Sequence, residues 1–282
     1  MQADSGLKAV RLDGLGLISV SGADARAFLH AQLTIDVEHL AANRAVHGAW
    51  CSAQGRVQAN GLVVPLGEGF LLQVSRDLAG PVSQRLGKYV LRSKVKIEEA
   101  GTAWAQTGVW SPDPPSAPLE ILSGADRVAV RVDAERVLQI STRPEPETAD
   151  AEAWMLAEIR AGHPLVTRAT QDLFVPQMLN LDWIAAVDFD KGCYPGQEVV
   201  ARAQYRGQVK RRLYRVRCAS PLQPGQQIFC DAQPGQPSGT VVNAAAGEAL
   251  AVLPIASVEQ RASFRISPGG EALEILSLPY RS

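Results

Sequence analysis

The sequence predicts an α+β protein that ends in an all-β part. Three observations carry this. Strand-like and helix-like segments interleave through the first two-thirds with hairpin-length turns, which fits α+β layering rather than a doubly wound sheet. Polar, proline-rich breaks, "SPDPPSAPLE" at 111–120 and "TRPEPETAD" at 142–150, interrupt that region. From Val209 to Pro279 only strand patterns and Pro/Gly turns remain, as in a small barrel or sandwich. The 282 residues suit one large unit or two to three small ones.

In chain order, "LGLISV" reads as a short strand and "SGAD" as a turn. A helix is expected from about Ala25 to Leu33, with Asp24 as N-cap and Phe28, Leu29 and Leu33 on one face. "GAWCSAQGRVQANGLVVPLGEGFLLQVS" gives two or three strands, broken at Gln54 and Gly55 and again at Gly67 to Gly69. Helical spacing returns in "GPVSQRLGKYVL", where Pro81 marks a helix start. "SKVKIEE" alternates as a half-buried strand, and "DRVAVRVDAERVLQI" supplies two more. In "DAEAWMLAEIRAG", Trp154, Leu156 and Ile159 cluster on a helix that Gly162 stops.

Composition narrows the function classes. Apolar residues make up 46% and charged residues 20%, the balance of a globular protein with a sizeable core. A net charge of −1 gives no whole-molecule field toward nucleic acid or an anionic membrane. The most apolar late window, "ALAVLPIASV", is too short to span a bilayer and holds Pro254. "MQADSGLKAV" lacks the features of a secretory signal, and Cys51, Cys193, Cys218 and Cys230 form no C-x-x-C pair. The expectation is a cytoplasmic protein with reduced thiols. His30, His39, His47 and His163 are equally scattered, which gives zinc no support. Between Val199 and Cys230 there is no acid, while Arg202, Arg206, Lys210, Arg211, Arg212, Arg215 and Arg217 are basic. The plain reading is a strand with Tyr214, Val216 and Cys218 inward and solvated cations outside; as a group the cations also fit an anionic partner.

The chemistry concentrates in "DKGCYPGQEVVAR", residues 190–202. Pro195 suits a first helical turn, so Cys193 stands just ahead of a helix N-terminus, with Lys191 two residues earlier. Helix N-termini and nearby ammonium groups are settings that raise a thiol's thiolate fraction. An isolated cysteine also packs readily as a small hydrophobe. No histidine is marked by spacing as a catalytic partner, so the residues alone leave filler and reactive thiol both open.

"KGCYPGQE" closely resembles the K-G-C-Y-x-G-Q-E signature of the folate-binding YgfZ family. The resemblance continues, in order, through "VSGADARAFLHAQLTIDV", "GAWCSAQGRVQANGLV", "KYVLRSKVKI", "IRAGHPLVTRATQDLFVPQMLNLD" and "ARAQYRGQVKRR", roughly residues 10 to 215. It implies an aminomethyltransferase-like, three-part ring around a central folate cavity. Residues 1–205 would form two intertwined α+β subdomains with a break near 100–120, and residues 206–282 a C-terminal β-barrel. It also implies tetrahydrofolate as cofactor and a role in maturing iron–sulfur client proteins. Cys193 would be the reactive thiol with Lys191 beside it, and Tyr194, Gln197 and Glu198 would flank the cavity. Gln177 and Asn180, three apart, either read a ligand's amide edge or cap a loop. Trp183 either stacks on a pterin or fills core, and Arg202 and Arg206 pair with a folate tail or with the protein's own acids. Related aminomethyltransferases carry an acidic pair where this chain has Ala59 and Asn60, and a pterin-binding glutamate where it has Arg160, with Glu158 one helical strip away.

Three functions therefore stand side by side. They are a folate-dependent accessory factor for iron–sulfur enzymes, a folate-dependent one-carbon transferase using another base, and a tRNA-binding or tRNA-modification factor using the basic 202–217 run. The accessory factor leads on the resemblance and the setting of the Cys193 thiol, and the transferase is weakened because no carboxylate stands at 59–60.

Overall fold

A computed structural model describes residues 8–280 apart from 102, 112–116, 124–126, 144–146, 208 and 234. The middles of both proline-rich breaks thus lie outside the described residues. The described strands form three antiparallel sheets. The first has the order β3 (Val46–Cys51), β4 (Val57–Leu66), β5 (Gly69–Ser75), β2 (Leu15–Ser21), β6 (Lys96–Glu99). The second runs β1 (Lys8–Arg11), β7 (Ala105–Trp110), β10 (Arg136–Ser141), β9 (Arg127–Arg131), β8 (Ile121–Ser123). The third runs β15 (Phe264–Arg265), β12 (Gln227–Cys230), β13 (Pro237–Ala245), β14 (Glu248–Pro254), β11 (Arg211–Arg217), β16 (Glu274–Leu276). Five α-helices among the described residues join them: α1 (Ala25–Gln32), α2 (Arg76–Gly87), α3 (Ala151–Ala161), α4 (Gln197–Tyr205) and α5 (Ile255–Glu259).

Side-chain alternation explains how the parts fuse. On β4, Val57, Ala59 and Val63 enter one core, while Leu62 and Val64 enter a second on the opposite face. On β14, Leu250 and Val252 join the first core, and Ala249, Ala251 and Leu253 build a third inside the C-terminal sheet. Both strands are buried along nearly their whole length because both their faces are covered. The N-terminal β1 pairs with β7, so the second sheet takes its first strand from ahead of the first sheet.

Two helices begin elsewhere than expected. Pro81 does not open α2; the helix starts at Arg76 and Pro81 lies inside it. Leu78, Ala79, Val82 and Leu86 are buried in one stripe across the proline. Burying three such large side chains at roughly 1.5–3 kcal/mol each offsets the about 3 kcal/mol of an interior proline. Likewise Pro195 precedes α4, whose N-cap is Gly196 in the left-handed region at φ 79°. Asp24 does occupy the N-cap of α1, but its carboxylate accepts from the backbone N–H of Lys94 (2.7 Å) instead of capping the helix. In α3, Asp150 caps the start and Gly162 the end at φ 75°. Its expected apolar cluster splits, with Trp154 in the second core and Ile159 in the first, because positions five apart point about 140° from each other.

Candidate functional site

The first sheet, the second sheet and α3 enclose a cavity of about 800 Å³, counted to its mouth. Its walls are apolar, including Leu12, Leu15, Leu62, Leu138, Trp154 and Met155, and its polar groups are few. Gly61 belongs to this lining; a Cβ there would collide with the backbone oxygen of Gln73, so the strands approach closely only because the residue is glycine. Glu158, from α3, is the carboxylate in this lining. Its Oε1 accepts from Arg136 Nη1 (2.6 Å), and its Oε2 lies 3.0 Å from His163 Nδ1. Burial alone would raise its pKa, but the hydrogen bond and charge of His163 and the charge of Arg136 prevail and hold it at about 2. The His47 ring lies 4.6 Å from that of His163, and burial followed by this neighbour lowers its pKa to about 3, so it is neutral.

This geometry sorts the residues read from the sequence. Glu158 faces the cavity and Arg160 does not; Arg160 pairs with Glu248 of β14 (2.9 Å). Asn60 is buried and fully engaged, donating to Pro164 O (2.7 Å) and accepting from Val166 N (2.8 Å). His47 and His163 come together from positions that looked scattered, and spacing gave no sign of it. The available hint was polarity out of place, as with Gln73 inside the apolar "FLLQVS".

A second centre lies at the far end of the β3–β4 hairpin. Gly196 packs on the turn between those strands, where a Cβ would run into Ser52 O and stand 2.6 Å from Gly55 Cα. The Lys191 ammonium donates to the backbone oxygens of His30 and Leu33 (2.8 Å to the latter), closing orphan carbonyls at the end of α1. Burial lowers its pKa to about 8, against the opposing charges of Asp36 and Asp188. Tyr194 is buried beneath it, with the ammonium 5.2 Å from the ring centre and the phenol oxygen without a hydrogen-bond partner among the described residues. Burial, then Cys51 and Asp188, push that phenol above its ordinary pKa. Cys193 lies three residues before the N-cap and is exposed, whereas Cys51, Cys218 and Cys230 are buried. Among the described residues no hydrogen bond joins Cys193 to a histidine. His30 is close by, its Nε2 facing Gly192, but its Nδ1 lies 3.1 Å from Asp36.

None of Lys191, Cys193, Tyr194, Gln197 and Glu198 is among the residues that line this cavity. Four residue steps along β3, about 13 Å of strand, separate Cys51 at this end from His47 at the other. Gln177 and Asn180, both fully buried, bind backbone instead: Gln177 donates to Val200 O (2.8 Å), and Asn180 donates to Leu213 O (3.0 Å). Trp183 is 36% exposed with the Arg212 guanidinium 4.1 Å over its ring, so it is neither in the cavity nor in the core. Arg202 is exposed on α4.

Comparison with known proteins places this architecture. The chain is 33% identical over 237 residues to the tRNA-modifying protein YgfZ of Yersinia pestis (strain Pestoides F), covering 75% of this chain and 72% of that protein. The chain belongs to the YgfZ family. The YgfZ protein of Shigella sonnei (strain Ss046) is 29% identical over 304 residues, covering 97% and 93% of the two chains. Residues 210–277 match the family described as the CAF17 C-terminal beta-barrel domain. The crystal structure of glycine cleavage system aminomethyltransferase T from Bartonella henselae superposes with a TM-score of 0.73 at 16% identity, over 97% of this chain and 86% of that one. The chain thus has the aminomethyltransferase-like fold with a C-terminal barrel domain. No helix among its described residues is long and apolar enough to cross a membrane.

Proposed function

We propose that this chain is a folate-binding accessory factor that holds tetrahydrofolate in the cavity and uses Cys193 to support assembly or repair of iron–sulfur clusters on client enzymes. The observation that carries the reading is an ionised Glu158 in an otherwise largely apolar cavity of about 800 Å³. A carboxylate has about four acceptor positions; with one used on each oxygen, it keeps acceptors for the N–H edge of a pterin. The apolar walls suit the flat ring of a pterin. Bound tetrahydrofolate would supply a reduced pterin and a carrier for one-carbon units.

Cys193 supports the second half of the reading as the exposed one of four unpaired cysteines. Its turn is anchored from two sides, by Lys191 on α1 and by Gly196 on the β3–β4 turn. Unpaired thiols also fit the cytoplasm as the working compartment. In this reading residues 1–205 hold the folate, residues 206–282 close the ring, and any effect on tRNA modification passes through iron–sulfur client enzymes. A one-carbon transferase is less well supported, because the Asn60 amide is engaged with the 164–166 backbone and no carboxylate takes its place.

The test is complementation in a strain lacking this protein, read as the activity of iron–sulfur enzymes. Wild type should restore it. Cys193→Ser should fail, and so should Leu15→Trp, which fills the cavity from its half-buried wall. Full restoration by Cys193→Ser would remove the thiol from the function; full restoration by Leu15→Trp would remove the cavity.

A further inference from the structure

The fold sorts the seven cations of the 202–217 run into two groups. Arg212 is buried and forked onto Asp182 (2.6 and 2.9 Å). Arg215 and Arg217 lean on Glu248 (3.6 and 3.5 Å), and Arg217 also reaches Glu274 (3.3 Å). Arg202, Arg206, Lys210 and Arg211 are exposed and make no ion pair among the described residues. Glu198, one turn before Arg202 on α4, is exposed and pairs with none of them.

Two of the free cations stand beside an aromatic ring, and Lys210 and Arg211 follow at the start of β11. Arg202 and Arg206 lie one turn apart and flank Tyr205, which is 67% exposed. An edge contact with Phe189, 6.0 Å between centres, steadies that ring and leaves it in solvent. Ala201, Arg202, Tyr205 and Arg206 line an open hollow of about 860 Å³ including its mouth.

We infer that the end of α4 and the start of β11 form a docking surface for single-stranded nucleic acid, with Tyr205 as a stacking platform and Arg202, Arg206, Lys210 and Arg211 as phosphate contacts. The argument is complementarity of two kinds at one place. An acidic peptide or a carboxylate tail would satisfy the cations and leave the ring unused. A strand of phosphates and flat bases uses both. The inference does not rest on the folate reading, since none of these residues lines the cavity that holds Glu158.

The experiment is fluorescence anisotropy of a labelled mixed-sequence 12-mer RNA with the full chain, at 50 to 200 mM salt. Four phosphate contacts on a single strand give a slope of log K against log salt of about −3, an affinity loss of roughly 50-fold over that range. Arg202→Gln with Arg206→Gln should make the slope shallower by about 1.4. Tyr205→Leu keeps apolar bulk against Phe189 and removes the flat ring; it should weaken binding at least about fivefold, while Tyr205→Phe binds as wild type. Absence of binding at 50 mM salt overturns the inference. So does binding that Tyr205→Leu leaves unchanged, or that an oligoglutamate displaces from wild type and Tyr205→Leu alike.

Discussion

Glu158→Gln isolates the charge of the cavity's carboxylate while keeping its shape. With its pKa held at about 2 against an ordinary 4.5, ionised Glu158 contributes up to about 3 kcal/mol to folding at neutral pH. The glutamine oxygen can still accept one of the two hydrogen bonds, so the expected loss at pH 7 is about 2 kcal/mol. The sign is fixed by the depressed value. The contribution is complete above the unfolded pKa and is lost as pH falls toward the folded one. Between pH 7 and pH 3 about 2 kcal/mol of it disappears. Urea unfolding of both proteins at pH 7 and pH 3 should therefore show a gap that closes on acidification. An equal gap at the two values, or no gap at pH 7, would refute the assignment of Glu158 as an ionised group held by Arg136 and His163.

Four more predictions follow from the same geometry. His47 is neutral in the fold to about pH 3, so the unfolded chain takes up its proton first and stability falls below pH 6.5, by at most about 1.4 kcal/mol per unit; His47→Phe should flatten urea midpoints between pH 6.5 and 4. Gly196→Ala should cost about 2–3 kcal/mol in chemical denaturation, since a Cβ meets the β3–β4 turn and φ is 79°. Brief iodoacetamide treatment of native protein, read by peptide mass spectrometry, should label Cys193 and reach Cys51, Cys218 and Cys230 only in denaturant. Asp182→Asn strands the buried Arg212 guanidinium and should destabilise by about 3–5 kcal/mol.

Local signals made much of the fold legible before the structure. The hairpins between 46 and 75 announced themselves through strand residues and Gly turns, and α3 through Asp150, Gly162 and its apolar spacing. Pro81 misled because the decisive term, the stripe of Leu78, Val82 and Leu86 against the core, is tertiary. "KGCYPGQE" marked a built turn, but the role of its lysine was not readable. Lys191 closes a helix 158 residues earlier in the chain, counted to Leu33. The cavity's polar set was illegible for the same reason. His47, Arg136, Glu158 and His163 share no spacing and meet only once β3, the second sheet and α3 are assembled. The basic run shows the limit most plainly, because Asp182, Glu248 and Glu274, all from outside it, decide which of its cations are free.

The most direct test of the account is the equilibrium affinity of tetrahydrofolate for the purified chain, measured by titration calorimetry under reducing, anaerobic conditions. The wild type and Cys193→Ser should bind alike within about twofold, because a hairpin's length of roughly 13 Å separates the thiol's turn from the cavity; Glu158→Gln should bind at least about tenfold more weakly. No binding by the wild type, or full affinity in Glu158→Gln, would contradict the account at its centre.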